Sequence, residues 1–261
     1  MNKLFIIPTP IGNLGDFTLR SIKELKRTKY ILCEDTMVSG KIKKHLELDA
    51  KMISLHKFNE KSRIKEVLSL LEEQDIVLIS DAGTPTISDP GQLLISEIKD
   101  KVEIVPLPGA NAITTSLSAS GLKFDSFTFV GFLEKEENKI VKVINNHLNS
   151  DVIIAYESPN RINKTLKHIY NNFGDIKVVV AREMTKIYEE ILRNNISNLM
   201  DKTFKGEIVL LIETKEIEKE LPFIKHIEAL KKEGLDDKAI INYLTKILKF
   251  KKNDIYNHLK K

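Results

Sequence analysis

Short apolar runs alternate with helix-spaced segments through the first half of this chain, and nearly every run ends in a loop of glycine, proline and small polar residues. Leu4, Phe5, Ile6 and Ile7 form the first run, stopped by Pro8. Residues 30–33, 76–80 and 102–105 repeat the pattern. Between them Leu19, Ile22 and Leu25 share one helical face, and Ile64, Val67, Leu68 and Leu71 share another. A helix over residues 111–119 follows. Parallel strands need long crossovers, so this alternation predicts a mostly parallel sheet covered on both faces. The second half has a looser rhythm: strands over 127–129, 152–156, 177–181, 188–192 and 207–212, and a helix over 159–170 with Pro159 in its first turn. Gly121 interrupts the pattern. The expected architecture is α/β, with one domain over 1–121, a second over 122–216, and a helical tail over 222–261.

Composition narrows the class. Of 261 residues, 42% are hydrophobic and 30% charged, the balance of a soluble globular protein. The sequence contains no apolar run long enough for a membrane span and no signal-peptide pattern at its start, so a cytoplasmic protein is expected. The single cysteine, Cys33, sits in an apolar run and reads as a buried thiol. No two of the six histidines lie three to five residues apart, so no local metal motif is present and no metal is expected.

The net charge of +4 is unevenly placed. Residues 222–261 hold ten lysines against five acidic residues, whereas the remainder holds 31 basic and 32 acidic. Such a tail suits an anionic partner such as RNA; a solvated lysine-rich surface explains the count equally well. Within it, Ile224, Ile227, Ala229 and Leu230 make one apolar stripe. Ala239, Ile240, Tyr243, Leu244 and Ile247 make a second, and Ile255 and Leu259 fall on a third helix. A three-helix unit is expected, either binding nucleic acid or capping the body.

Four loops at strand ends carry the polar chemistry, where open α/β sheets place their ligands. The first, Pro8-Thr9-Pro10-Ile11-Gly12-Asn13-Leu14-Gly15-Asp16, is neither a Walker loop nor a dinucleotide fingerprint. The second, residues 80–91, holds Ser80, Asp81, Ala82, Gly83 and Thr84, then Ser88, Asp89, Pro90 and Gly91. Ser88 or Asp89 reads as the N-cap of a helix with Pro90 in its first position. The third is Pro106-Leu107-Pro108-Gly109-Ala110-Asn111-Ala112. The fourth is Tyr156-Glu157-Ser158-Pro159-Asn160-Arg161, neighboured by Arg182-Glu183-Met184-Thr185-Lys186. Its charges suit either substrate contact or structural ion pairing.

Together with Glu34-Asp35-Thr36, Ser118-Ala119-Ser120-Gly121-Leu122, Gly131-Phe132-Leu133 and Gly206-Glu207, these loops closely resemble the ribosomal RNA small subunit methyltransferase I family, a branch of the tetrapyrrole methylase superfamily. The resemblance implies AdoMet-dependent 2′-O-methylation of a cytidine in 16S rRNA at the decoding centre. It also implies a homodimer and a cofactor cleft between the two α/β domains. Carried over by position, the AdoMet contacts are Pro10, Asp81, Ala82, Gly83, Thr84, Asn111, Ala112, Tyr156 and the backbone near Ile208. This chain departs from the family at Met37 (usually arginine), Asn160 (usually histidine), Ala110-Asn111 (usually Pro-Ser) and the acidic stretch Glu134-Lys135-Glu136.

The implied reaction asks little of the protein beyond placing a hydroxyl in line and removing its proton. Glu157, Glu34, Asp35 and Glu183 are the candidate bases, with Glu157 put first. Arg182 and Lys186, with Arg161, are candidates for neutralising RNA phosphate or orienting the ribose. Two other readings compete with it. A methylase of a porphyrin- or corrin-like molecule would carry a Gly-x-Gly-Pro-Gly first loop and no basic tail. A non-enzymatic RNA-binding module would not need so many small, polar strand-end loops.

Overall fold

The computed structural model describes residues 2–215, 217, 224–248, 250 and 252–259. The chain divides after Lys215 into a large unit and a small one. Pro222, where the sequence places the start of the tail, lies outside the described residues, as do Lys249 and Lys251 of its basic run.

The first sheet is built from β1 (Lys3–Ile6), β2 (Tyr30–Cys33), β3 (Lys51–Ser54), β4 (Ile76–Leu78) and β5 (Glu103–Pro106). Its order is β3-β2-β4-β1-β5, and every pairing is parallel. The expected parallel sheet is therefore present, with β3 as a strand the apolar pattern had not marked. Side chains alternate between faces along each strand. Phe5, Ile7, Ile31, Cys33, Val77 and Ile79 pack on one side with Leu25 of α1 (Leu19–Arg27) and Ile42 and Leu46 of α2 (Thr36–Leu46). Leu4, Leu32, Ile76 and Leu78 pack on the other with Val67 and Leu71 of α3 (Glu60–Glu73) and Leu94 and Ile98 of α4 (Gln92–Ile98). Each fully buried leucine or isoleucine here is worth about 1.5–3 kcal/mol. Cys33 is buried as expected.

The second sheet is β6 (Phe127–Phe132), β7 (Val152–Glu157), β8 (Lys177–Arg182), β9 (Glu190–Asn195) and β10 (Ile208–Glu213), in the order β6-β7-β10-β8-β9. Only β6 and β7 run parallel; the other three pairings are antiparallel. One face packs Val152, Ile154, Val179, Ala181, Val209 and Leu211 against Ile113 and Leu117 of α5 (Ala112–Ser118). The sequence had grouped α5 with residues 1–121, yet its apolar face belongs to the second sheet's core. By alternation the opposite face presents Ile153, Ala155, Val180 and Leu210, all buried. Two mutually packed helices, α6 (Glu137–Asn146) and α7 (Ile162–Phe173), contribute buried Ile140, Ile144, Leu166 and Ile169. Pro159 lies ahead of α7 in a turn closed by Ser158, whose carbonyl accepts the N–H of Arg161 and of Ile162.

The small unit holds α8 (Ile224–Lys232), α9 (Asp237–Lys246) and α10 (Lys252–Leu259). Ile227, Ile240, Leu244 and Ile255 form its core. Asp236 caps α9 by accepting the Ala239 N–H at 2.7 Å. Tyr243 and Ile247, expected in the buried stripe, are 42% and 62% exposed. Tyr243 falls on the flank of α9 and Ile247 just past its end, leaving Ile240 and Leu244, one turn apart, to make the contact. Among the described residues no helix is long and apolar enough to cross a membrane.

Candidate active site

Beyond the carboxyl ends of the first sheet, three loops are stitched together by backbone and threonine hydroxyl hydrogen bonds. Thr9 and Gly83 exchange both backbone hydrogen bonds, each at 2.9 Å. The buried Thr9 hydroxyl donates to the Ser80 carbonyl at 3.0 Å, and the Thr84 hydroxyl donates to the Ala110 carbonyl at 3.1 Å. Gly109 makes the third loop's passage possible: a Cβ there would stand 2.7 Å from the Cβ of Pro8. Gly83, at φ +79°, turns the second loop back toward Ile11 in a conformation that side chains resist.

These loops and the ends of β7 and β10 enclose a cavity of about 410 Å³, within the range of small-molecule sites. Asp81, Ala82, Gly83, Thr84, Asn111, Ala112, Tyr156 and Ile208 all line it, as does Glu157. Pro10 is not among the lining residues; its neighbour Ile11 is. Asn111 has a second task, since its Oδ1 accepts the Ile113 N–H at 2.9 Å and caps α5. Asp89, Phe132, Met184 and Glu207 also line the cavity, none of them expected there from sequence.

The acidic side of the cavity is electrostatically frustrated. Burial raises the carboxyl of Asp81, partly offset by the N–H of Asp35, which donates to Asp81 Oδ1 at 3.2 Å. Burial and the charge of Asp81 raise Glu34. Burial and the charge of Glu34 push Asp89 up to about 6. Ser88 or Asp89 was expected to cap the following helix, and neither does. The N-cap of α4 is Gly91, and the Gly91 and Leu94 N–H groups donate to Oε1 of Glu60 at 3.1 and 2.7 Å. A buried carboxylate from α3 thus satisfies the helix terminus and leaves Asp89 facing the cavity.

The opposite wall is aromatic and its charges are paired. Tyr156 meets Phe129 and Phe132 edge-on, with ring centroids 4.9 and 5.4 Å apart. Burial, then the charges of Asp89 and Glu207, push its hydroxyl up to about 12, so it stays a neutral donor. The Glu157 carboxylate is fully enclosed. Its Oε1 accepts the Ser158 N–H at 2.8 Å and pairs with Arg161 at 3.4 Å; its Oε2 accepts the Thr165 hydroxyl at 2.6 Å. Arg161 also donates to the carbonyls of Leu133 and Glu134. Arg182 and Lys186 do not line the cavity. Arg182 pairs with Glu190 at 2.7 Å, and Lys186 bridges Glu183 and Glu207 at 2.9 and 2.8 Å. Glu183 is in turn held low by the Lys186 ammonium and the Glu207 N–H.

Residues 3–200 match the family model described as Tetrapyrrole (Corrin/Porphyrin) Methylases. The chain is 36% identical over 269 residues to the ribosomal RNA small subunit methyltransferase I of Halalkalibacterium halodurans, covering 97% of this chain and 93% of that one. It is 35% identical over 280 residues to that of Bacillus subtilis, covering 100% and 95%. Among solved structures, a diphthine synthase superposes with a TM-score of 0.63 at 13% identity, covering 81% of this chain and 90% of that one. A uroporphyrin-III C-methyltransferase from Thermus thermophilus, complexed with S-adenosyl homocysteine, superposes at 0.59 and 13% identity, covering 82% and 98%. The last two likenesses carry the fold, and the two near-complete sequence matches carry the closer kinship. This chain belongs to the ribosomal RNA small subunit methyltransferase I family, within the tetrapyrrole methylases.

Proposed function

We propose that this chain methylates the ribose 2′-hydroxyl of a cytidine in 16S rRNA, at the decoding centre of the small ribosomal subunit, with AdoMet as donor. The observation that carries the reading is sequence identity sustained over 97–100% of the chain with relatives named for the small-subunit RNA. AdoMet supplies a methyl group already made electrophilic by its sulfonium. The cavity fits such a ligand: its acidic side suits a cation, its aromatic and aliphatic walls suit an adenine, and Gly83 leaves room that a Cβ would narrow.

In this reading Asp81, Ala82, Gly83, Thr84, Asn111, Ala112, Tyr156 and Ile208 hold the cofactor, and Ile11 takes the place expected for Pro10. Glu157 is a positioning residue, since its oxygens already hold Ser158, Arg161 and Thr165. Through Arg161 it fixes the backbone next to Phe132, which is 62% exposed at the cavity rim and can stack on an extruded base. Arg182 and Lys186 brace the loops between β8, β9 and β10, a structural use of charges expected to meet phosphate. Exposed Lys232, Lys238, Lys246 and Lys252 of the small unit take that role in this reading. The exposed side chains of Leu14, Ile187 and Tyr188 offer an apolar surface for the homodimer.

The test is incubation of the purified chain with tritiated AdoMet and small ribosomal subunits or naked 16S rRNA, with the labelled nucleotide mapped. Label on a cytidine 2′-oxygen of 16S rRNA is the expected outcome. Label on a base, or turnover of a tetrapyrrole in its place, would overturn the reading. Sedimentation of the same preparation reads the dimer.

A further inference from the structure

Methyl transfer to a hydroxyl must dispose of one proton, and few carboxylates at the cavity are free to take it. Glu157 is already engaged by two hydrogen bonds and by the Arg161 guanidinium. Glu183 is bound to Lys186 and to the Glu207 N–H. Glu207 is paired with Lys186. Asp81 already accepts from the backbone of Asp35 and sits in the loop expected to hold the cofactor. Glu34 and Asp35 do not line the cavity. Asp89 does, and the helix that follows it is capped by Glu60, so it carries no capping duty. We propose that Asp89 is the general base, taking the proton from the ribose 2′-hydroxyl as the methyl group is transferred. This rests on the methyltransferase reading above.

In the step, a lone pair of the ribose oxygen forms the new C–O bond. The methyl–sulfur bond breaks with its electron pair left on sulfur, giving a neutral thioether. The hydroxyl proton passes to a carboxylate oxygen of Asp89 and from there to solvent. A carboxylate of ordinary acidity is a feeble base, and one raised toward neutrality is a better one. The surroundings of Asp89 supply that rise. Burial is the main cause, followed by the negative charge of Glu34 at the end of β2 and, more weakly, of Asp81 after β4. Lys57 opposes them from the β3–α3 connection. Ser80 also opposes, but its hydroxyl proton is already given to the Gly83 carbonyl at 3.0 Å. Tyr156, on the facing wall, is uncharged below about pH 12.

The substitution Asp89→Asn tests this with three readouts. In single turnover on the RNA substrate at saturating AdoMet, the rate is expected to fall about 100- to 10,000-fold, the usual span for a lost general base. AdoMet affinity by calorimetry should stay within about threefold. The wild-type rate should rise with pH along a single limb ending at or below about pH 6, since a bound sulfonium favours the carboxylate, and the limb should vanish in the variant. Melting temperature supplies a readout independent of catalysis. A carboxyl raised from 3.8 to about 6 binds its proton more tightly in the folded state, so the contribution of Asp89 to wild-type stability falls as pH rises from about 4 to 6. Asp89→Asn should therefore melt higher than wild type at pH 8 and lose that advantage near pH 4. A variant rate within threefold of wild type, or a persistent limb, overturns the proposal. So does a loss of AdoMet affinity, which would make Asp89 a cofactor ligand. Absence of RNA methylation by the wild type would instead sink the functional reading itself.

Discussion

The two sheets meet the same cavity with opposite electrostatics. At the ends of the first sheet, Glu34, Asp81 and Asp89 crowd together with little counter-charge, and each is pushed up. At the ends of the second, Glu157, Arg182, Glu183 and Lys186 are all matched to partners. Paired charges are locked in place and chemically quiet, whereas unmatched ones remain available to a ligand or a proton. The unmatched carboxylates thus gather on the first sheet's loops, and the second sheet's loops carry the cations that match its own.

The largest consequence falls on the second side. Glu157→Ala should destabilise the large unit by about 3–5 kcal/mol in denaturant unfolding, because Arg161 and Thr165 lose a buried partner. A loss below about 1 kcal/mol would mean the pairing is ornamental and the contrast is wrong. On the first side, Asp81→Ala should leave stability nearly intact yet weaken AdoMet binding about 10- to 100-fold, as expected for a lost hydrogen bond to a charged group. Unchanged affinity by calorimetry would remove Asp81 from the cofactor site.

Glu60 is the exception that sharpens the comparison, a carboxylate of α3, on the first sheet's side, that is matched. Glu60→Ala orphans two N–H groups of α4 and should cost about 1–3 kcal/mol with AdoMet affinity retained. Smaller still is Lys186→Met. Its pairs are partly solvated, so unfolding should shift by less than about 1 kcal/mol, with the salt dependence of rRNA binding unchanged. A flatter salt slope would show that this paired cation meets phosphate after all. Reversing Lys246 and Lys252 to glutamate should flatten that slope by about two charges' worth while leaving AdoMet binding alone. A wild-type slope would make the small unit structural.

Much of the fold was legible because local rules decide it. Continuous apolar runs such as 30–33 and 76–78, separated by helix-spaced segments, fit a parallel sheet covered on both faces, and strand-end loops of glycine and proline mark where backbones approach. β3 was not legible, since Lys51-Met52-Ile53-Ser54 is too short and too mixed to stand out. The reach of α5 to the second sheet was hidden because periodicity shows that a helix has an apolar face and not which sheet will cover it.

The class of architecture, most of the loops that make the cavity and the kinship that points to rRNA methylation can be read from the order of residues. Tertiary structure alone decided which charges are spent. Asp89 reads as a helix cap in sequence because the residues after it are helical, and only the arrival of Glu60, 31 residues from Gly91, removes that duty. Glu157 reads as a base because it follows a strand, and only the packing of α7 brings Thr165 and Arg161 onto its oxygens. A carboxylate's chemistry depends on the few ångströms around its oxygens, and those neighbours are brought in from other elements of the chain.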